Sequence, residues 1–566
     1  MSALLDRGLR WQLGGRLSQA NPQVSREYES VPVPEGEDDP EFWRLSGQNG
    51  ISRLLSAPVV DAPAKNVIVF TYAVDRQVTD SAASATALFC GAKTKMAMLA
   101  LSAKANTSEC DSAAGNELHS FIKKAQDRGM STGLVTTTRV THATPAALYA
   151  HSAHRDWEMD TKMPKRTRCK DIARQLVEDE PGRNMNVILG GGLAYFKDKQ
   201  RGGGKRSDGL DLVDLWKKDK KNRKFVGSRE ELLAIDTNKT DYLLGLFSGD
   251  HMSYEDYRQD KQPSLLDMVV TAIEILQKRG NCFALKLKPA RKPPYRKLAA
   301  FDESTLNLDV MDASCAVMCQ CLLEGRGHSG RIDHGHHENR AALALRETSE
   351  FSDAVAAALE LVDVRETLVL VTADHSHSFT MNGYPARGNH ILGFAGISEK
   401  DGLPYTTLSY ANGPSTTKRK ADVNTGYPAR GNPILGFAGI SEKDGLPYTT
   451  LSYANGPSTT KRKADVNTEA VDYQQVSAVP LRLETHAGED VALYAIGPMA
   501  HMVHGVLEQH IVAHLVDYAA CLGDGARLRS RCQEQRASAA PTVADSSLAR
   551  IVSVLVSLAA SLVMLR

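Results

Sequence analysis

Cysteine is scarce in this chain, and the few present are not arranged as metal ligands. Nine cysteines among 566 residues include no CxxC pairs of the zinc-ribbon kind, which argues against a thiolate metal site. Charge of one sign is also missing. Sixty-eight Lys and Arg against 67 Asp and Glu leave a formal net charge of +1. With no long basic stripe on a predicted helix, nothing favours a nucleic-acid partner. A long hydrophobic run is absent too: the most apolar stretch, Ile551 to Leu565, is shorter than the roughly 20 residues of a membrane span. The N-terminus lacks a leader pattern, because Ala3-Leu4-Leu5 is cut at once by Asp6, Arg7 and Arg10.

What remains is ordinary for a globular protein: 42% hydrophobic and 24% charged residues, in a chain too long for one simple core. One large domain with insertions, or two to three domains, is expected. Sequons at Asn106 and Asn238 fit a secreted glycoprotein, although such triplets recur by chance. Upstream of the apolar tail lie Ser538-Ala539-Ala540 and a polar spacer with Asp545, Ser546 and Ser547. That order suits a GPI-attachment signal over 533–566; a buried terminal helix is the alternative. Lipid attachment requires the secretory route, so the natural chain is expected to begin upstream of Met1.

Residues 1–38 are polar and rich in turn formers and read as a flexible lead-in. Short β-branched runs follow at Asn66–Phe70, Gly133–Thr136, Asn186–Leu189 and Thr367–Thr372. Between them lie helix-like segments such as Asn339–Val362, where Leu345, Phe351, Val355, Leu359 and Val362 keep a helical period. This alternation predicts an α/β fold, a parallel sheet covered on both faces, with ligands beyond the carboxyl ends of its strands. Two segments break the pattern. Gly383–Thr425 recurs as Gly426–Thr468, 43 residues each, differing only at His390 and Pro433. A single near-perfect copy is not a solenoid and looks like a recent duplication or an assembly error. The basic, proline-rich stretch from Lys286 to about His328, with Cys315, Cys319 and Cys321, cannot continue a central strand and reads as an inserted loop.

Two stretches carry chemistry. Asp333-His-Gly-His-His337 packs three imidazoles and a carboxylate into five residues. Neutral His and ionised Asp suit zinc, and one helical turn aims Asp333 and His337 at the same point. A solvated polar turn is the plainer alternative. Thr79-Asp80-Ser81-Ala-Ala-Ser surrounds a hydroxyl with small residues at a helix start, where a nucleophile could stand and an anion could bind. Ser/Ala-rich turns are common, so this stretch alone decides little. The strand ending at Thr372 leads into a further pair, Asp374-His375.

Together these segments resemble one family. Val78–Thr86 resembles the nucleophile signature of the alkaline phosphatases; Gly330–Glu338 and Thr372–His377 resemble its zinc-ligand segments, and Glu484–Asp490 its last one. They stand in the family's order, and the likeness runs from about Asp39 to Cys532. The resemblance implies a three-layer α/β/α domain over 39–532 with a central, mostly parallel sheet and a small crown subdomain containing the duplication at 383–468. It implies Ser81 as the nucleophile that carries a phosphoryl group, and Arg155 as the phosphate grip. Asp333, His337 and His486 would ligate one Zn2+, Asp374 and His375 a second; Thr144 would ligate Mg2+, with His142 behind it. Disulfides Cys110–Cys169 and Cys521–Cys532, a homodimer near the crown and a cell-surface lipid anchor belong to the same expectation. The family's extra calcium site is not expected, since Ser248 and Gln262 replace carboxylates.

Two departures accompany the resemblance. The family follows the Asn66–Phe70 strand with a Gly-Asp-Gly turn whose aspartate bridges zinc and magnesium; here Phe70 meets Thr71 directly, and about forty residues by family comparison are absent. The magnesium glutamate five residues before Asp333 is replaced by His328. The expected function is therefore hydrolysis of phosphate monoesters at a two-zinc site with a weakened magnesium position. The alternative is a catalytically impaired surface binding protein; a phosphodiesterase or sulfatase fits Ser81 and Arg155 less well.

Overall fold

In the computed structural model the described residues are 65–522, less 166, 220–221, 279–329, 386–388, 399–401, 415–436, 444, 446, 450–466, 468–469 and 476. The chain divides into Met1–Glu41 and Phe42–Arg566, and every described residue belongs to the second unit. The lead-in, the basic insertion at 286–328, Cys532 and the C-terminal 533–566 lie outside the described residues.

Eight strands carry the architecture: β1 (Lys65–Phe70), β2 (Gly133–Arg139), β3 (Val187–Gly191), β4 (Arg223–Val226), β5 (Tyr242–Leu246), β6 (Val369–Thr372), β7 (Val491–Ile496) and β8 (Val506–Glu508). One sheet has the order β2-β3-β5-β4 and is parallel throughout; the other has the order β8-β1-β7-β6, with β7 antiparallel to both neighbours. Parallel pairings predominate, as expected of an α/β fold. Among the described residues the strand hydrogen bonds fall into two four-stranded ladders, with β2 ending one and β6 the other.

Period-2 alternation explains why these strands are covered on both faces. In β3, Ile188 enters one core while Val187 and Leu189 enter the other; in β5, Leu244 and Leu243 divide in the same way. The Ile188 side is covered by α1 (Ser81–Cys90), α2 (Phe121–Asp127) and, near the end of the chain, by Ile511–Ala519, through Leu88, Phe89, Phe121, Ile122, Leu515 and Val516. The Leu189 side is covered by α3 (Leu265–Gln277) and α5 (Ala341–Leu361), through Met268, Ile273, Phe351 and Val355; α4 (Gly330–His337) lies between these two in the chain. Burying a Leu or Phe side chain stabilises by about 1.5–3 kcal/mol, so these two apolar layers dominate the fold.

The duplicated segment contributes unequally. In the first copy, Leu408–Gly413 lies between Phe379–Met381 and Ser477–Pro480 in a three-stranded sheet. Its hairpin, Phe394–Ile397 with Pro404–Thr406, recurs at Phe437–Ile440 with Pro447–Thr449 in the same register, Pro404 opposite Ile397 and Pro447 opposite Ile440. Identical sequence gives identical pairing. The second counterpart of Leu408–Gly413 falls outside the described residues. Cys110 and Cys169 form a disulfide, Cα atoms 5.9 Å apart.

Candidate active site

The site stands where strands end. Thr372 closes β6 and is followed, after Ala373, by Asp374 and His375; Phe70 closes β1 and the chain runs on to Ser81; Arg139 closes β2 just before His142 and Thr144. Ser81 opens α1, an all-buried helix of small residues capped by Asp80, whose carboxylate accepts the Ala83 amide at 3.1 Å. The helix start therefore presents Ser81, unobstructed by any large neighbour in the turn, at its electropositive end. The Ser81 hydroxyl lies 3.0 Å from His375 Nε2.

α4 places Asp333 and His337 one turn apart, with His337 Nε2 3.3 Å from Asp333 Oδ1. The same carboxylate oxygen has three further imidazole nitrogens around it: His377 Nε2 at 3.0 Å, His486 Nε2 at 3.3 Å and His375 Nε2 at 3.8 Å. His337 Nε2 and His486 Nε2 are 3.2 Å apart. Each ring has an oxygen on its other side. His337 Nδ1 faces the Glu484 carbonyl at 2.6 Å, His486 Nδ1 the Thr79 carbonyl at 2.9 Å, His377 Nδ1 the Glu484 carboxylate at 2.7 Å, and His375 Nδ1 the Ser376 carbonyl at 3.3 Å. Carbonyl and carboxylate oxygens only accept, so they place the proton on Nδ1 and leave the Nε2 lone pairs converging on one region. That is the arrangement a nitrogen-binding cation needs.

Electrostatics agree. Burial opposes ionisation of Asp333, but His337, His377 and His486 outweigh it and hold the carboxyl well below its ordinary range. Burial likewise opposes charge on His337 and His377, yet Asp333 and Glu484 push both upward. Two buried carboxylates thus call for positive charge among these rings. The donor set of imidazoles and carboxylates fits zinc.

Asp374 and His375 adjoin this cluster: Asp374 Oδ2 is 3.4 Å from His375 Nε2 and accepts the Thr144 hydroxyl at 3.4 Å. Arg155 reaches Asp80 Oδ2 at 3.0 Å and His142 Nε2 at 3.3 Å, beside Ser81. Burial works against the Asp80 charge, but Arg155 and two backbone amides hold its carboxyl below the usual range. All nine residues singled out for catalysis and metals therefore lie in one connected neighbourhood. The magnesium position is different. Magnesium wants a near-octahedral oxygen shell, whereas Thr144 and Asp374 supply only two side-chain oxygens, and His142, His251 and His334 gather as nitrogen donors in a group of their own. The described residues do not fit that ion.

Three contributors were not anticipated. His377, from the short strand Ser376–His377, stands opposite His486 in the pairing with His486–Ala487. Glu484 is buried and binds His377, the Ser378 amide at 2.6 Å and the Ser378 hydroxyl at 2.7 Å. The i, i+2 spacing of His375 and His377 was a legible hint, since alternate strand residues share a face. His251 carried no local signal. Of the other imidazoles in α4, His336 turns to the Tyr410 hydroxyl at 2.8 Å.

The family model described as alkaline phosphatase matches residues 61–291, 323–426 and 419–522. The chain is similar to the tissue-nonspecific alkaline phosphatase of Homo sapiens, 37% identical over 552 residues covering 87% of this chain and 90% of the relative. It is similar to the alkaline phosphatase of Gadus morhua, 35% identical over 558 residues, 87% of this chain and 99% of the relative. Among solved structures, Thermus thermophilus alkaline phosphatase overlays with a TM-score of 0.48 at 22% identity, covering 86% of this chain and 89% of that one.

Proposed function

Because the chain belongs to the alkaline phosphatase family, hydrolases of phosphate monoesters, we propose that Ser81 and the Asp333 cluster perform that hydrolysis here. The observation that carries the reading is the convergence of four imidazole Nε2 atoms on Asp333 Oδ1, with the Ser81 hydroxyl 3.0 Å from one of them.

Ser81 Oγ attacks phosphorus, the bond to the alcohol oxygen breaks, and the alcohol leaves after taking a proton; the phosphoryl group is then held on Ser81. Water attacks the same phosphorus, phosphate departs, and the serine oxygen regains its proton. Arg155, fixed beside Ser81 by Asp80, offers a planar fork to two phosphate oxygens. The α1 N-terminus adds amide dipoles on the same side. Asp333, His337 and His486 would hold one zinc, Asp374 and His375 the other, and zinc so bound supplies Lewis acidity to the serine, the leaving oxygen and the water. Glu484 keeps His377 and His337 oriented. The composition of the tail and the two sequons support a glycosylated, lipid-anchored protein at the outer cell surface.

The direct test is hydrolysis of p-nitrophenyl phosphate at alkaline pH by the zinc-loaded chain and by Ser81→Ala. Turnover in the first and its loss in the second supports the reading. Equal silence in both favours a surface binding protein instead. One observation favours that second reading: Phe70 passes directly to Thr71, where the family resemblance calls for the bridging aspartate.

A further inference from the structure

We propose that Gln509 is a positioning residue for the pair Asp374 and His375, holding from the far edge of the sheet the turn on which both stand. The inference rests on the reading of that pair as metal ligands. Gln509 is fully buried, and its Nε2 donates to the Asp374 backbone carbonyl at 2.7 Å. Asp374 needs an anchor from outside its own ladder. The pairing of β6 with β7 ends at Thr372 opposite Leu493, two residues earlier. The next pairing in the chain begins only at Ser376, opposite Ala487. Residues 373–375 therefore bridge two ladders, and the Gln509 bond falls at the middle of that bridge.

The backbone that carries Gln509 is itself fixed. It follows directly on β8; its amide donates to the Phe70 carbonyl at 3.3 Å, and its carbonyl accepts the Val512 amide at 3.2 Å where the helix Ile511–Ala519 begins. Lys93 Nζ donates to the same Phe70 carbonyl at 3.2 Å and to the Tyr72 carbonyl at 3.0 Å, and it pairs with Glu508 at 3.1 Å. Lys93 thus clamps the join of Phe70 to Thr71 onto β8, and the Gln509 side chain extends from that clamp to the ligand turn. Its other polar atom shows why an amide stands here. Gln509 Oε1 is buried and meets no donor among the described residues. An apolar side chain of equal length would fill the space without that desolvation cost, so only the bond to Asp374 offsets it. Holding Asp374 also holds its neighbour: His375 Nε2 lies 3.0 Å from the Ser81 hydroxyl and 3.8 Å from Asp333 Oδ1.

Metal binding, read without turnover, tests the role. The full chain is stripped with chelator, reloaded with zinc or cobalt, and titrated with a competing chelator, and the melting temperature of the metal-free chain is measured beside it. Gln509→Met keeps the length and removes the donor; its zinc affinity is expected to fall about 10–100-fold, with an altered visible spectrum in the cobalt-loaded chain. Gln509→Asn, whose amide is one methylene too short to reach Asp374, is expected to behave alike, which separates the lost bond from lost packing. Lys93→Met removes the clamp but no bond to Asp374, and is expected to lower the metal-free melting temperature while leaving zinc affinity and the cobalt spectrum unchanged. If both Gln509 variants bind zinc as tightly as wild type with the same cobalt spectrum, the positioning role alone is overturned. It is also overturned if zinc affinity falls only in step with metal-free stability, equally in Lys93→Met. A wild-type chain that takes up no zinc would overturn the functional reading itself, and the positioning role with it.

Discussion

At the scale of single residues, the centre depends as much on the groups behind the imidazoles as on the imidazoles themselves. Glu484 is buried, touches His377 and Ser378, and lies 3.6 Å from His337 Nδ1 through its carboxylate. Burial disfavours its charge, yet His377 and His337 hold its carboxyl far below the ordinary range. Glu484→Gln keeps the shape and removes the charge that fixes two rings. Zinc affinity of the variant, measured by chelator competition, is expected to fall about 10–100-fold; an unchanged affinity would mean that the rings orient themselves. The ligand-bearing motifs were legible because each is local: Asp333 and His337 share a turn, and Asp374 and His375 follow a strand end. Glu484 and His251 were not legible as partners, since their roles arise only when segments more than a hundred residues apart, or an unremarkable loop, fold against α4.

At the scale of elements, α4 and α5 set the position of the ligands. Gly335 faces α5 so closely that a Cβ there would stand 2.9 Å from the Ala344 amide nitrogen and 3.1 Å from its Cα. Backbone cannot yield as a flexible side chain does, so Gly335→Ala should destabilise by about 1–3 kcal/mol and weaken zinc binding with it. Thermal unfolding with and without zinc checks both effects, and a variant as stable as wild type would show that α4 can move. On α5, burial first, then Glu255 and Asp353, raise the Glu350 carboxyl from 4.5 to about 7. A carboxyl whose pKa is raised on folding binds its proton more tightly in the folded state. Its contribution is full below about 4.5 and is lost as pH rises through 7. Glu350→Gln is therefore expected to raise the melting temperature at pH 8 and to change it little at pH 4, and the reverse order would contradict this assignment. The strands and helices themselves were readable from periodicity. The split into two ladders was not, because register between strands that are distant in sequence leaves no local pattern.

At the scale of the whole molecule, the duplication is the largest irregularity, and among the described residues the contacts to the site come from the first copy. Tyr410 bonds His336, Asn412 takes the Thr485 amide at 2.9 Å beside His486, and Leu408–Gly413 completes a sheet. A chain lacking 426–468 joins Thr425 to Glu469 and keeps all of these contacts. Its zinc content and melting temperature are expected to match the full chain, and a loss of either would show that the second copy holds the fold together. The central claim concerns chemistry, and the covalent state of Ser81 reports on it most directly. The zinc-loaded chain is mixed with a phosphate monoester, quenched in acid and digested, and the peptide containing Ser81 is examined by mass spectrometry. The account predicts phosphate on Ser81, absent in the Ser81→Ala chain. Sustained hydrolysis with no phosphate on Ser81 would contradict it.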